Sequence, residues 1–342
     1  MPTVTIEQLN QLTYNKLVVA GVNHEHAMIV ADVLTFAEAR GISSHGVMRL
    51  AHYLNRMKQE SIKVNPNISV TSVNQNVSKM NGDQALGHIV AKMASDEAIS
   101  LAKESGIGIV SVSNTSHSGA VGYYADRIAQ QDMIGIIFTQ ADALVAPYGG
   151  KEPYLGANPI TFGVPTGLDY PLVLDMSTSQ VSFGKVMLAK EKGEKIPLDW
   201  ALDENGVPTD DPNKVKSLQP MAGAKGYGLA ILVDILAGVL TGESFGRHIN
   251  PMYGDLEKPR NLGQFFIVLN PKKFVGTSIF LTQIQQMITE LQESPVAEAN
   301  VSVFVPGERS YNNVLKANEV GINLSEELFA FLNEEESKYE PV

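Results

Sequence analysis

The chain has 342 residues, 44% of them hydrophobic, which suffices for a sizeable core and for either two domains or one domain with helical extensions. Its net charge of −11 argues against nucleic acid or an anionic membrane surface as partner, because both need a basic face, and leaves any anionic ligand to a few local Arg or Lys residues. The absence of cysteine excludes disulfides, thiolate catalysis and cysteine-ligated metals.

The N-terminal stretch MPTVTIEQLN lacks the basic and apolar regions of a secretory signal, and no apolar run is read as reaching the ~18 residues of a membrane span. A soluble, cytoplasmic protein is therefore expected. Thr5 followed by Gln8 makes a capping box ahead of Leu9, Leu12 and Leu17, which predicts a first helix ending near Gly21. Asn23 caps a second, closed at Gly41 after Arg40. ISSHG follows, a polar stop with a histidine, and Ser44 is expected to cap a third helix through VMRLAHYLNRM. On that helix His45, Arg49 and Tyr53 would fall at i, i+4 and i+8 and line one face, bringing a base or acid, a cation and a phenol together.

Ile68 to Lys79 alternates and reads as a strand, and helical spacing runs from Gly87 to about Lys103. Ile107, Ile109, Val110 and Val112 form a β-branched strand that stops at SNTSHSG, so His117 sits on a strand-to-helix loop, where layered α/β proteins collect ligands. An imidazole there can take a proton near neutral pH. The next strand, Met133 to Phe138, delivers Asp142 at its end, close enough in the expected layer to orient a histidine. Ile160 to Val164 and Leu172 to Asp175 read as two more strands, the second presenting Asp175, Met176 and Ser177. MAGAKGYG puts glycines and Lys225 ahead of an apolar helix, an entry at which backbone amides can approach a phosphate. It is neither G-x-G-x-x-G nor a Walker loop. Gln264 to Asn270 reads as a strand, Ile284, Met287, Ile288 and Leu291 as the core face of a helix, and PGER as a turn before two closing helices.

Metal binding explains these features poorly, since HEH at residues 24–26 has no third ligand nearby, and no G-x-S-x-G elbow supports a serine nucleophile. A histidine base paired with an arginine suits oxidation of a 2-hydroxy acid, with a nicotinamide as hydride acceptor. A catalytically silent ligand-binding protein of the same fold is the reading from another class.

The pieces ARGISSHGVMR, SVSNTSHSGAVGYYA, GANPITFGVPT, LDMSTSQVSFGKV, PTDDP and GAKGYGLAILVDILAGVLTG resemble, in order and along nearly the whole chain, the type-2 malate/L-lactate dehydrogenases. MRLAHYLNRM, IPLDWALDENGVPTDDP and FGRHINPMYGDLEKPRNLGQFFIVLNP are similar to the branch that oxidises (S)-ureidoglycolate to oxalurate in allantoin and purine breakdown. Sister members act on malate, L-lactate or keto-sugar acids. The resemblance implies a cytosolic homodimer and an α/β fold with a mixed, mostly antiparallel sheet that binds nicotinamide without a Rossmann unit. A helical region over residues 1–65 would pack with C-terminal helices in 275–342, around a central catalytic domain over 66–274. By position it makes His117 the general base, with His45 and Asp142 beside it. Arg49, Tyr53 and Arg260 would bind the substrate. Asp175, Met176, Ser177, Lys225, Gly307, Glu308 and Arg309 would bind NAD, preferred over NADP because Glu308 would repel a 2′-phosphate. No metal is implied. Ala141 stands where the ureidoglycolate branch has serine, which removes one possible hydrogen bond to the cofactor.

Overall fold

The computed structural model describes residues 1–297 and 301–334. A two-residue strand, β1 (Thr3–Val4), leads into α1 (Ile6–Val19) and α2 (His24–Ala39). The capping box forms as the sequence predicts. Gln8 N–H donates to Thr5 Oγ1 at 3.1 Å and Thr5 N–H to Gln8 Oε1 at 2.9 Å, so two N-terminal donors are satisfied at once. The third helix departs from expectation. In place of one helix capped by Ser44 there are two 3-10 turns, Ser43–His45 and Val47–Arg49, and α3 spans only Leu50–Lys58. The cause lies at Gly46, whose ψ of −155° breaks the helical path. Glu38 Oε2 accepts the Val47 N–H at 3.0 Å and occupies the space in which a Cβ on residue 46 would sit, 2.0 Å away.

The predicted strand at Ile68 to Lys79 is a hairpin of β2 (Ser69–Asn74) and β3 (Val77–Ala85), because Asn74 Oδ1 accepts the Asn76 N–H and turns the chain. Next come α4 (Gly87–Ser105), β4 (Ile107–Thr115), α5 (Gly122–Ala129), β5 (Ile134–Thr139), β6 (Ile160–Val164) and β7 (Leu172–Met176). A small unit follows, made of α6 (Phe183–Lys192), the paired strands β8 (Ala201–Leu202) and β9 (Ser217–Leu218), and α7 (Ala224–Ala237). The chain then returns through the middle of the sheet as β10 (Leu262–Leu269).

The seven-stranded order is β2-β3-β4-β10-β5-β6-β7, and only β3 and β4 run parallel. The sheet is mixed and mostly antiparallel, as expected. Successive side chains of a strand face opposite ways. Phe266 and Val268 of β10 pack with the α4 and α5 side, and Phe265 with Val233 and Ala237 of α7 on the other. The stretch Ala224–Thr241 runs 18 residues with a mean hydropathy of 1.5, so one helical run is apolar enough by length to cross a membrane, contrary to the sequence reading. Within it, buried Asp234 accepts the Gly246 N–H at 2.9 Å and hydrogen bonds from Gln140 and Asn158.

After β10 come α8 (Thr277–Gln292), α9 (Glu308–Val320), β11 (Ile322–Asn323) and α10 (Glu326–Asn333). β11 pairs with β1, and Phe331 and Leu332 join Leu9 and Leu17 of α1 in one core. α8 packs elsewhere, through Ile288 on Leu172 and Val305. Its predicted core face is only partly buried, with Met287 45% and Leu291 46% exposed.

Candidate active site

β4 ends at Thr115, and Ser116 fixes the loop beyond it by accepting the Gly87 N–H and donating to Ala85 O, both at 2.9 Å. His117 is thereby held between the sheet edge and the N-terminal helices. Its Nδ1 lies 2.8 Å from Tyr53 Oη, and its ring stacks on that of His45 at 5.6 Å between centroids. The three residues therefore converge although His45 and Tyr53 do not share a helix. The Gly119 N–H also donates to Nδ1, at 3.2 Å. That contact favours the tautomer protonated on Nε2. The Tyr53 hydroxyl can donate or accept and so accommodates either tautomer. Tyr53 is 1% exposed, and burial pushes its phenol above the ordinary range, so it stays protonated.

The charges around this pair are mostly positive. Arg49 donates from Nε to Ser44 O at 2.6 Å, lies 3.8 Å from Met252 Sδ through Nη1, and has no carboxylate partner among the described residues. Arg260, 4% exposed, forms an ion pair with Asp142 and donates to Asn250 O at 3.0 Å. Asp142 thus serves Arg260, and the expected bond from Asp142 to an imidazole does not form among the described residues; Tyr53 occupies that place. Burial, followed by the charges of His45, Arg49 and Arg260, holds His117 well below its ordinary 6.5. Burial and then Arg49 lower His45, while Asp175 acts in the opposite direction on the same ring. His52 is pushed down to about 4 by burial and by Arg56, Arg49 and Arg260. A pocket of neutral imidazoles with one unpaired guanidinium is built to receive an anion.

Asp175 joins this pocket to a larger cleft of about 440 Å³, bounded by Arg40, Gly122, Tyr170, Gly307, Arg309 and Tyr311. Asp175 is fixed from two sides, by the Gly122 N–H at the start of α5 (2.7 Å) and by Thr161 Oγ1 (2.7 Å). Gly307 has φ +97°, and a Cβ there would stand 2.7 Å from Pro171 O, so only glycine lets the start of α9 approach β7. The structure therefore brings Asp175, Gly307 and Arg309 to one cleft. Glu308 points elsewhere: its carboxylate accepts the Val305 N–H at 3.1 Å and the Gln292 amide at 2.9 Å. It does not line the cleft, and repulsion of a 2′-phosphate by Glu308 has no support in this geometry. Met176 and Ser177 continue from β7 beyond the cleft, and Ser177 bonds the Ser179 hydroxyl at 3.1 Å. Lys225, in the first turn of α7, is exposed and does not line the cleft either, although the Met221 N–H ties that turn to Thr178 O at 2.9 Å. A groove between two helix starts, with a glycine cradle and an arginine, fits a dinucleotide.

The sequence pattern of malate/L-lactate dehydrogenases matches residues 4–333. The chain belongs to this family. It is 39% identical over 329 residues to a ureidoglycolate dehydrogenase (NAD(+)) of Escherichia coli K12, covering 96% of this chain and 94% of that one. It is 36% identical to a malate/(S)-sulfolactate dehydrogenase of Methanothermus fervidus, covering 97% and 96%. The sulfolactate dehydrogenase structure from Methanocaldococcus jannaschii superposes with a TM-score of 0.92 at 34% identity, covering 98% of this chain and 96% of that one. The resemblance drawn from six sequence blocks is borne out, and with it the enzyme class: a dehydrogenase acting on the CH–OH of a 2-hydroxy acid.

In this malate/L-lactate dehydrogenase family member, sequence reasoning passed over His52, Arg56, His88, Met252 and Tyr253. His52 and Arg56 share a face of α3 at i and i+4, a signal that was available. Met252 and Tyr253 come from an irregular loop some 200 positions away, and no local pattern marks them.

Proposed function

We propose that this chain oxidises (S)-ureidoglycolate to oxalurate with NAD, His117 being the proton acceptor. The observation that carries the reading is Arg49, an unpaired guanidinium close to His45, Tyr53 and His117 in a chain of strongly negative net charge. Arg49 takes the substrate carboxylate through its fork of donors. His117, neutral near pH 7, accepts the hydroxyl proton, and Tyr53 Oη, 2.8 Å from Nδ1, holds the ring in place and can donate or accept, so it accommodates the tautomer that the base needs. Arg260, with Asp142 as counter-ion, adds positive potential as the alcohol loses its proton. Asp175, Gly307 and Arg309 would hold a nicotinamide, which would supply the acceptor for the hydride leaving C2. NAD rather than NADP is supported by the name of the Escherichia coli relative.

The same residues suit malate or another 2-hydroxy acid, and the likeness to the Methanothermus fervidus enzyme favours that second reading. A homodimer is supported by the outer face of α7 and the turn after it, where Leu232, Ile235, Val239 and Leu240 are exposed. A cytoplasmic location is consistent with the lack of cysteine. The test is initial-rate absorbance at 340 nm on ureidoglycolate, malate and L-lactate, each with NAD and NADP. Turnover best on ureidoglycolate with NAD is expected. A hundredfold preference for malate would overturn the substrate and keep the reaction class.

A further inference from the structure

Arg56 is 1% exposed and has no bonded carboxylate among the described residues. Its guanidinium instead uses all five donors on neutral acceptors. Nη2 donates to Met252 O at 2.8 Å and Pro251 O at 3.0 Å, Nη1 to Lys258 O at 3.2 Å and Ser61 Oγ at 3.3 Å, and Nε to His52 Nε2 at 3.2 Å. Three of those acceptors belong to the loop between Asn250 and Arg260. The same loop is closed at its base, where Asn250 Nδ2 donates to Pro259 O at 2.7 Å and Arg260 Nε to Asn250 O at 3.0 Å. An irregular segment is thus held from inside by a buried cation on α3.

What the loop presents lies beside the anion-binding residue. Met252 Sδ is 3.8 Å from Arg49 Nη1, and the Tyr253 ring lies 5.5 Å from the Arg49 guanidinium and 5.0 Å from the His52 ring. Tyr253 is 66% exposed, so core packing does not account for its place over a cation. The donor count points the same way. Arg260 is paired with Asp142 and all five Arg56 donors are taken by neutral acceptors, which leaves Arg49 as the guanidinium of the three with donors open to an anion. One guanidinium matches one carboxylate.

We propose that the Arg56-held loop is the specificity wall of the substrate pocket, with Met252 and Tyr253 selecting monoanionic 2-hydroxy acids whose C2 substituent is planar and uncharged, such as an amide or urea. This deepens the ureidoglycolate reading and rests on its placement of the carboxylate at Arg49. The urea lies on the phenol face, and the thioether closes the other side. A second carboxylate, as in malate, meets no free cationic donor on this wall among the described residues, because the Arg56 donors are all taken and Lys258 pairs with Asp255, and it must be desolvated without a partner. Arg56 touches no substrate in this arrangement and is a positioning residue.

The experiment compares wild type, Tyr253→Ala, Tyr253→Phe and Arg56→Met on ureidoglycolate, L-lactate and malate. Tyr253→Ala is expected to lower kcat/KM on ureidoglycolate about tenfold, the scale of one lost stacking contact, with much smaller change on lactate and malate. Tyr253→Phe retains wild-type selectivity, because the ring face is what acts. Arg56→Met raises KM for ureidoglycolate more than it lowers kcat, and hydrogen exchange of residues 251–258 speeds up. An equal loss on all three substrates for Tyr253→Ala overturns the wall, even where the wild type prefers ureidoglycolate. A wild type inactive on ureidoglycolate overturns the substrate reading alone, provided it still prefers lactate to malate. Preference for malate over both monoanions overturns the one-anion inference itself.

Discussion

A histidine that accepts a proton from an alcohol must be neutral when the alcohol arrives, and the surroundings of His117 ensure this. Burial and then the neighbouring His45, Arg49 and Arg260 charges all lower its pKa. For alcohol oxidation, kcat/KM should accordingly be flat through neutrality and fall only as pH drops well below 6.5, where the ring begins to charge. A rise centred near 6.5 in the free-enzyme profile would contradict the environment described for His117. His117→Ala should reduce turnover by roughly 10² to 10⁴-fold, the usual contribution of general-base catalysis, with little loss of fold. His45→Ala should be milder; the reverse order of severity would move the proton acceptor to His45. Arg49→Lys should raise KM, because an ammonium cannot reproduce the fork on a carboxylate. The places of His117 and His45 were legible in sequence because both stand where apolar periodicity stops. The partners were not: Tyr53 replaces Asp142 beside His117, and Arg260 takes Asp142, through contacts 64 and 118 positions apart that no local pattern encodes.

Helices and strands with strong periodicity were readable, and the misreadings fall where a single side chain redirects the backbone. Asn74 splits a predicted strand into β2 and β3 by accepting the Asn76 N–H, and Glu38 fills the space beside Gly46 and ends the predicted helix before it starts. The second case bears on function, since the turn at Gly46 separates His45 from Arg49 and sets both against His117. A Cβ at residue 46 would stand 2.0 Å from Glu38 Oε2. Gly46→Ala should therefore displace the Glu38 carboxylate from the Val47 N–H and cost about 1 to 3 kcal/mol of stability, as overpacking and a lost buried hydrogen bond usually do. Activity should fall further than stability explains, because the His45 and Arg49 turns move with it. Urea denaturation alongside kinetics separates the two effects. A variant of unchanged stability and activity would mean that Glu38 swings aside at no cost and that the turn does not position the site.

At the scale of the whole molecule, the histidines buried for the site couple folding to acid. His52 is held at about 4 and His88 at about 3, both chiefly by burial and both below the ordinary 6.5. Above pH 6.5 the folded and unfolded chains carry these rings neutral alike. Below it the unfolded chain binds protons that the folded chain refuses, so stability falls as pH drops from 6.5 towards 4, by roughly 1.4 kcal/mol per pH unit for each ring. Asp126, Asp234 and Glu243, whose carboxyls burial raises, act in the opposite sense from their ordinary values of 3.8 and 4.5 upward and offset part of that loss. His88 offers the cleanest test. Neither of its ring nitrogens has a hydrogen-bond partner among the described residues, and its ring packs edge-on against Tyr53 at 4.8 Å. Replacing a buried polar group that makes no hydrogen bond by an apolar one of similar size is close to neutral. His88→Leu should consequently match the wild type within about 1 kcal/mol near pH 7.5, since it removes no hydrogen bond. Its slope of unfolding free energy against pH between 6.5 and 4.5 should be shallower by roughly the one-ring amount of 1.4 kcal/mol per unit. Chemical denaturation at fixed protein concentration over that range measures both quantities. Identical slopes for the two proteins would show that His88 takes up its proton in the folded state, and that its two nitrogens find partners there.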